Sequence, residues 1–163
     1  MKVLVIDKQA IKKNISVLKT RAEKAAIYAV LTGDAHGAGL VEMAKLVRDE
    51  GIVRFAVSEA EDAAALRKAG LVDEEILMLR ATTDREELEK LLDLNVVCTV
   101  GSTDTGMALN GVAKERSTVV EAHIQIDTGM GFGGFLTDEV DKILSVYRNL
   151  PNVAVSGIYT QIH

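Results

Sequence analysis

Two glycine-rich stretches hold most of the residues that could do chemistry. The first, residues 27–39 (IYAVLTGDAHGAG), runs from an apolar segment into Thr32 and then carries Gly33, Gly37 and Gly39 with His36 among them. Glycines let a backbone approach a ligand closely, and a helix that starts behind them offers N–H groups to an anion. The spacing matches no phosphate-loop pattern, however, and the loop has no lysine, so a flexible turn is the simpler reading. His36 has no second ligand at helical spacing and reads as a polar loop residue rather than a metal ligand. The second stretch, residues 125–135 (QIDTGMGFGGF), follows an alternating strand into a loop with four glycines. A structural turn accounts for the glycines, but the string Asp127, Thr128, Gly129, Met130 is more particular than a turn requires. His123 and Gln125 share one face of the strand. A buried histidine with a hydrogen-bond partner is the plainer account of His123. The chain has no Ser–His–Asp order, no HExxH motif and no paired-cysteine metal pattern. The carboxylate pairs Glu74–Glu75 and Glu86–Glu87 fall on helical or loop surfaces as solvated charge.

The elements that must position these loops follow a regular scheme. Strand-like runs occur at residues 27–31, 53–57, 76–79, 96–100, 119–126 and 153–159, starting roughly 20 to 35 residues apart. Helical patterns lie between them. Leu40, Met43, Ala44 and Val47 show the spacing i, i+3, i+4, i+7, and Val140, Ile143, Leu144 and Tyr147 repeat it. Leu88, Leu91 and Leu92 give a shorter version, and residues 59–69 form an alanine-rich helix able to approach a sheet closely. Ser102 or Thr103 can start the helix that holds Met107 and Val112. Thr137 can cap the next one, with Asp138 and Glu139 as first-turn acids. Gly51 and Gly70 stand where helices stop. Before this rhythm, residues 3–6 are a short strand candidate, and Asp7 can cap a helix with Ile11, Ile15 and Leu18 on one face. Alternation of strands and helices predicts an α/β fold with parallel pairing and right-handed crossovers. Two architectures fit: an open doubly wound sheet, or part of a (βα)8 barrel. Six barrel-type strands are countable, and residues 1–163 read as a single domain without a linker.

Composition narrows the function. A formal charge of −5 and basic residues scattered among acids argue against a nucleic-acid surface. Cys98 is the only cysteine, so neither an internal disulfide nor a cysteine-based metal site is available. Its setting, VVCTV, suggests a buried thiol that behaves as a small hydrophobe. No apolar run reaches membrane-spanning length, and residues 1–10 lack the long apolar core of a signal peptide. The cytoplasm is the default compartment.

The segments IYAVLTGDAHGAGLVEMAK, FAVSEAEDAAALRKAG, HIQIDTGMGFGGF and SGIYTQIH resemble, in order, the landmarks of the alanine racemase N-terminal barrel. IDKQAIKKNISVLK resembles the helix that precedes it. The resemblance covers nearly the whole chain, and the Asp-Thr-Gly-Met-Gly string is its most specific part. It implies a partial TIM (βα)8-type barrel of about six parallel strands alternating with helices. Members of that family are pyridoxal-phosphate enzymes, isomerases that work as homodimers and carry a separate β domain.

The resemblance also implies what the matching positions would do. Thr32 stands where the family has the lysine that forms the cofactor Schiff base, and a threonine has no amine. His36 stands where a tyrosine helps to hold the phosphate. Gln125 and Phe132 replace a lysine and an arginine that bracket the second motif. Gln161 takes the place of a histidine beside the cofactor ring. Asp127, Thr128, Gly129 and Met130 are kept. Together these nine positions form a vestigial cofactor cleft, with no catalytic residue and no metal ligand expected.

The leading expectation is therefore an alanine racemase-like pseudoenzyme, not catalytically competent by itself and binding no cofactor alone. It would serve as a binding or interaction module, with a small molecule as a possible ligand, or as one half of a two-chain assembly. The alternative is a pyridoxal-phosphate-dependent racemase whose missing parts come from another chain. A third reading takes Gly33–Gly39 as an anion loop in an independent open-sheet protein. An incomplete barrel would leave the strands at 27–31 and 153–159 as unpaired edges, which recruit partners. A homodimer or a companion chain is the expected consequence, with neither nucleic acid nor membrane as partner.

Overall fold

The computed structural model describes residues 5–162. The strand expected over residues 3–6 begins outside them, and Val5 and Ile6 belong to no strand. The fold class is α/β, with parallel strands alternating with helices as the run pattern predicts. The chain divides into two compact units, Met1–Ile76 and Leu77–His163.

In the first unit, helix α1 (Lys8–Ala22) starts at Asp7, whose Oδ1 accepts from the N–H groups of Gln9 at 2.8 Å and Ala10 at 3.2 Å. Of the residues read as sharing one face, Ile15 reaches the core and Leu18 stays exposed. Strand β1 (Tyr28–Val30) pairs in parallel with β2 (Arg54–Val57), Tyr28 opposite Arg54. A short segment α2 (Thr32–Gly37) and helix α3 (Leu40–Asp49) lie between them, and α4 (Ala60–Lys68) follows β2. Ala44, Ala60, Ala63 and Leu66 from the helices join Phe55 and Val57 in the core. The small alanines let the helices sit close, and burial of such apolar surface is the main stabilising term. Gly51 and Gly70 follow the helix ends with positive φ, as read from the sequence. The Arg67 guanidinium donates to the carbonyls of Leu71 and Glu74, both at 2.7 Å, and so fixes the turn that leads to β3 (Glu75–Met78).

Strand β3 crosses into the second unit. That unit contains α5 (Arg85–Asp93), β4 (Cys98–Val100), α6 (Thr103–Glu115), β5 (Val120–Asp127), β6 (Phe135–Leu136), α7 (Val140–Asn149) and β7 (Val153–Thr160). The long strand β5 is paired in parallel with β4 on one side and β7 on the other, and β6 joins its end at Ile126 and Asp127. Ser102 caps α6 in a reciprocal box with Thr105, and Asp84 caps α5 by accepting from Glu87 N–H at 2.8 Å.

Two helix readings need correction. Helix α7 begins at Val140, not at Thr137, because Glu139 turns back to accept from Leu136 N–H at 2.9 Å. Of its periodic residues Ile143 is half-buried while Val140, Leu144 and Tyr147 are exposed, and Val146, outside that set, is in the core. The two-residue strand β6 has no counterpart among the expected strands, being too short to show alternation. Cys98 is buried as expected, and burial pushes its thiol up to about 12. Among the described residues, no helix is long and apolar enough to cross a membrane.

Candidate functional site

Apolar parallel strands deliver their loops to one face, at the strands' C-terminal ends. The loop after β1 is built in an unusual way. Four consecutive residues of α2, Gly33, Asp34, Ala35 and His36, have φ between 52° and 61° with ψ between 34° and 49°. This is a turn of left-handed helix, in which each non-glycine residue costs about 1–2 kcal/mol. Two contacts offset the strain. Ala35 is buried, and the Asp34 carboxylate accepts from Leu40 N–H at 2.7 Å. That second bond decides the anion-loop reading. The first N–H of α3 is already taken by the chain's own carboxylate, so an outside anion would meet negative charge there. Thr32 is half-buried just beyond the strand end, and His36 is exposed on the turn.

The loop after β5 is built by hydrogen bonds within the Asp127–Gly131 string itself. Asp127 Oδ1 accepts from Gly129 N–H at 2.8 Å and from Gly131 N–H at 3.1 Å. These donors, Gly129 first, hold the carboxyl below its ordinary value. Thr128 Oγ1 donates to the Gln161 carbonyl at 3.0 Å and lies 3.2 Å from Thr160 Oγ1, tying the loop to the end of β7. Gln125 Nε2 donates to the Phe132 carbonyl at 3.3 Å, and the Phe132 ring is 62% exposed. The loop thus brings together Gln125, Asp127, Thr128, Gly129, Phe132 and the Gln161 backbone, with Met130 half-buried beside them. His123 points its ring at Gly157, where an added Cβ would lie 2.6 Å from Nε2.

An open recess of about 300 Å³ lies beside this loop, lined by Arg80, Ser102, Thr105, Gln125, Phe132 and Gly133, among others. Arg80 is engaged: its guanidinium makes a two-point pair with Glu87, at 2.5 and 3.2 Å. Arg80 and Thr105 were not singled out from the sequence, and Ser102 was read only as a possible helix start. Ser102 and Thr105 follow the end of the strand-like run at 96–100 with capping-box spacing, which was the available signal. Tyr159 was likewise missed. Its hydroxyl donates to Leu79 O at 3.0 Å and meets Thr99 Oγ1 at 3.0 Å, while Thr99 donates to Met78 O at 2.5 Å. Burial raises the Tyr159 hydroxyl above its ordinary value. In the first unit, a recess of about 350 Å³ lined by Lys19, Glu23 and Arg54 lies at the N-terminal ends of the strands, away from Thr32. Among the described residues, no group of three or more His, Cys, Asp or Glu side chains could hold a metal ion.

The residues present do not suit pyridoxal phosphate in the manner the resemblance implies. Thr32 presents a hydroxyl, which cannot condense with an aldehyde to a Schiff base. The amide of Gln125 is spent on the Phe132 backbone, and neither the Gln125 nor the Phe132 side chain carries a positive charge.

Comparison with known proteins places these features in context. Residues 6–162 match the family model described as alanine racemase, N-terminal domain. The alanine racemase of Carboxydothermus hydrogenoformans is 35% identical over 155 residues, 95% of this chain and 41% of the relative. That of Clostridium tetani is 34% identical over 157 residues, 95% of this chain and 40% of the relative. Among solved structures, alanine racemase of Clostridium difficile 630 in complex with cycloserine superposes with a TM-score of 0.85 at 27% identity. The superposition covers 99% of this chain and 46% of the other. This chain therefore spans about two fifths of the length of the curated relatives it matches.

Proposed function

This chain belongs to the alanine racemase N-terminal domain family, and on that premise we propose that it is a racemase-like partial barrel that does not catalyse racemisation by itself. It acts instead as a binding or interaction module, or as one half of a larger assembly. The observation that carries this reading is Thr32 at the end of β1, a hydroxyl where the covalent attachment of the cofactor calls for a primary amine. Two further features support it. The side-chain amide of Gln125 satisfies a backbone carbonyl of its own loop, and the α3 N-terminus is closed by Asp34.

The test is reductive trapping. The purified chain is mixed with pyridoxal phosphate, treated with borohydride and digested. The expected result is that residues 27–39, which contain no lysine, carry no label, that any label lies on scattered surface lysines, and that L-alanine is not racemised. Stoichiometric labelling of a single lysine, together with turnover by the isolated polypeptide, would sink the proposal. Thr32→Lys is expected to acquire the amine without acquiring turnover, because the charged partners at positions 125 and 132 remain absent.

A second reading is favoured by one observation, the intact hydrogen-bonded geometry of the Asp127–Gly131 loop. On that reading another chain supplies the lysine and the phosphate site. Racemisation that appears only when a second polypeptide is added would select it.

A further inference from the structure

We propose that the recess at the N-terminal ends of β1 and β2 is a binding site for a small monocarboxylate with an aliphatic body, held by the Lys19 ammonium. The proposal goes beyond the reading above. The recess lies at the opposite ends of the strands from Thr32, and its occupant does not depend on whether the chain racemises anything.

The recess measures about 350 Å³, within the range of small-molecule sites. All of its walls come from residues 19–54, so it is contained in the first unit, and the two strands whose starts it adjoins are paired with each other. The last turn of α1 supplies Lys19, the turn into β1 supplies Ala25 and Ala26, and the turn into β2 supplies Ile52 and Val53. Ile52 is buried, whereas Val53 is 53% exposed and both alanines are exposed. These side chains carry no polar atom, so an apolar ligand body is the one that gains by lying against them.

One charge in this setting is uncompensated. Lys19 Nζ donates to the Glu50 carbonyl at 2.9 Å, and among the described residues no carboxylate stands within ion-pair distance of it. The Glu50 carboxylate itself is taken by Lys12 at 2.7 Å. An ammonium has three donors, which leaves Lys19 with further N–H groups to offer. Gly51 makes the seat for it: a Cβ there would lie 3.1 Å from Nζ, and the φ of +83° suits glycine. Arg54, the other cation of the recess, is already engaged. Its Nε lies 3.4 Å from Glu75 Oε2, and its guanidinium carbon lies 5.6 Å from the centre of the Tyr28 ring.

The wider field favours an anion at this place. Residues 8–24 carry six of the chain's 19 basic residues and one of its 24 acidic residues, in a chain whose net charge is −5. Helix α1 is therefore a positive strip on an acidic molecule, and such a strip raises the local concentration of anions.

The neighbouring acids narrow the class. Glu23 lines the same recess, and Glu75 is paired with Arg54. A dianionic phosphate would gain one ammonium and face both carboxylates, whereas the single charge of a carboxylate is matched by Lys19 alone. The charge-assisted bonds of Lys19 then go to the carboxylate oxygens, and the aliphatic body covers the alanines and Val53. A polyhydroxylated body would instead hold its hydroxyls against apolar walls that cannot bond them.

The experiment is an amide-shift titration of the full chain with hexanoate, with acetate, butyrate, hexylammonium and inorganic phosphate run beside it. The expected result is a set of shifts confined to residues 19–27 and 50–54 that saturates below about 10 mM hexanoate. Affinity should rise from acetate through butyrate to hexanoate, by up to about four-fold per methylene, the limit for full burial. Lys19→Met should weaken hexanoate about ten-fold, the loss of a charge-assisted bond. Val53→Asp, at an exposed position on the opposite wall, should weaken it by repulsion, and both variants should keep the circular dichroism of the wild type. Lys13→Met removes the same charge from an exposed position of α1 outside the recess and should leave binding unchanged. Shifts that fail to saturate, that fall elsewhere, or that hexylammonium or phosphate reproduces at equal concentration would overturn the proposal. So would an affinity that ignores chain length, equal losses from Lys13→Met and Lys19→Met, or binding that survives both recess variants. The borohydride labelling is read separately, so failure of this site and failure of the cofactor reading are distinguishable.

Discussion

The loop after β1 and the loop after β5 have comparable lengths and glycine content, yet they are held in opposite ways. The first stores strain: Asp34, Ala35 and His36 sit in left-handed backbone, and one carboxylate bond to Leu40 steadies them. The second is relaxed and densely bonded, with Asp127, Thr128 and Gln125 each satisfying backbone groups of the same loop or of the end of β7. The contrast separates residues that build a loop from residues that only line it. Asp127, Thr128 and Gly129 build the loop, so losing them would cost local structure. Gln125 adds one amide bond to the Phe132 carbonyl, and the Phe132 ring is exposed, so neither holds the loop as Asp127 does.

The largest expected effect tests how tightly the second loop is packed. A Cβ on Gly134 would lie 2.8 Å from Gln125 O and 2.9 Å from Asp127 N, at a φ of +112°. Gly134→Ala should cost about 3 kcal/mol or more by urea unfolding, since overpacking and backbone strain add. Gly33 has nothing within 4 Å of an added Cβ, so Gly33→Ala should cost only about 1 kcal/mol, from its positive φ alone. Equal losses at the two sites would end the contrast.

Next comes the single bond that steadies the strained turn. Asp34→Ala should destabilise the chain by about 1 kcal/mol, the usual value of a lost helix cap, and Asp34→Asn by a few tenths. A neutral Asp34→Ala variant would show that the turn is held by something other than this carboxylate.

A smaller effect is pH-dependent. The Asp127 carboxyl is held below its ordinary value in the folded state, chiefly by Gly129 N–H. A depressed folded value adds stability above the unfolded value and loses it as pH falls through the folded one. Melting curves of wild type and Asp127→Asn should keep a constant offset at neutral pH, and the offset should shrink in the acid range below the ordinary carboxylate value. An offset that grows on acidification would contradict the assignment. The smallest effect is at Cys98, whose buried thiol at about 12 should react with a thiol reagent only as fast as the protein unfolds. Rapid labelling of the native chain would show an opening of β4 that this packing does not predict.

Much of the scaffold was readable in advance because its parallel strands are buried runs. Phe55, Val57, Ile76, Met78 and Val100 are fully covered, and such strands appear in sequence as unbroken apolar segments. Caps at Asp7 and Ser102 were also visible, since their side chains bond groups only two or three residues away. The left-handed turn was not, because Asp-Ala-His has no local preference for that region and is held there by a bond to Leu40. The exposure of Val140, Leu144 and Tyr147 on α7 was not legible for a related reason. Spacing shows that Val140, Leu144 and Tyr147 share a side of the helix, but not whether anything lies against it. At the candidate site, the motif residues Asp127 to Met130 were identifiable by type. Their bonding role, and the partners Arg80 and Tyr159, depend on contacts between segments distant in sequence.

In the second unit, β5 is hemmed in along both edges, with β4 and β7 to either side and the small strand β6 clipped to its end. Residues 122–126 consequently cannot release their amides by fraying from a margin. Solvent should reach them only when the whole unit comes apart, so their exchange rate reads out its global stability, and the glycine loop that hangs from β5 inherits that rigidity at its root.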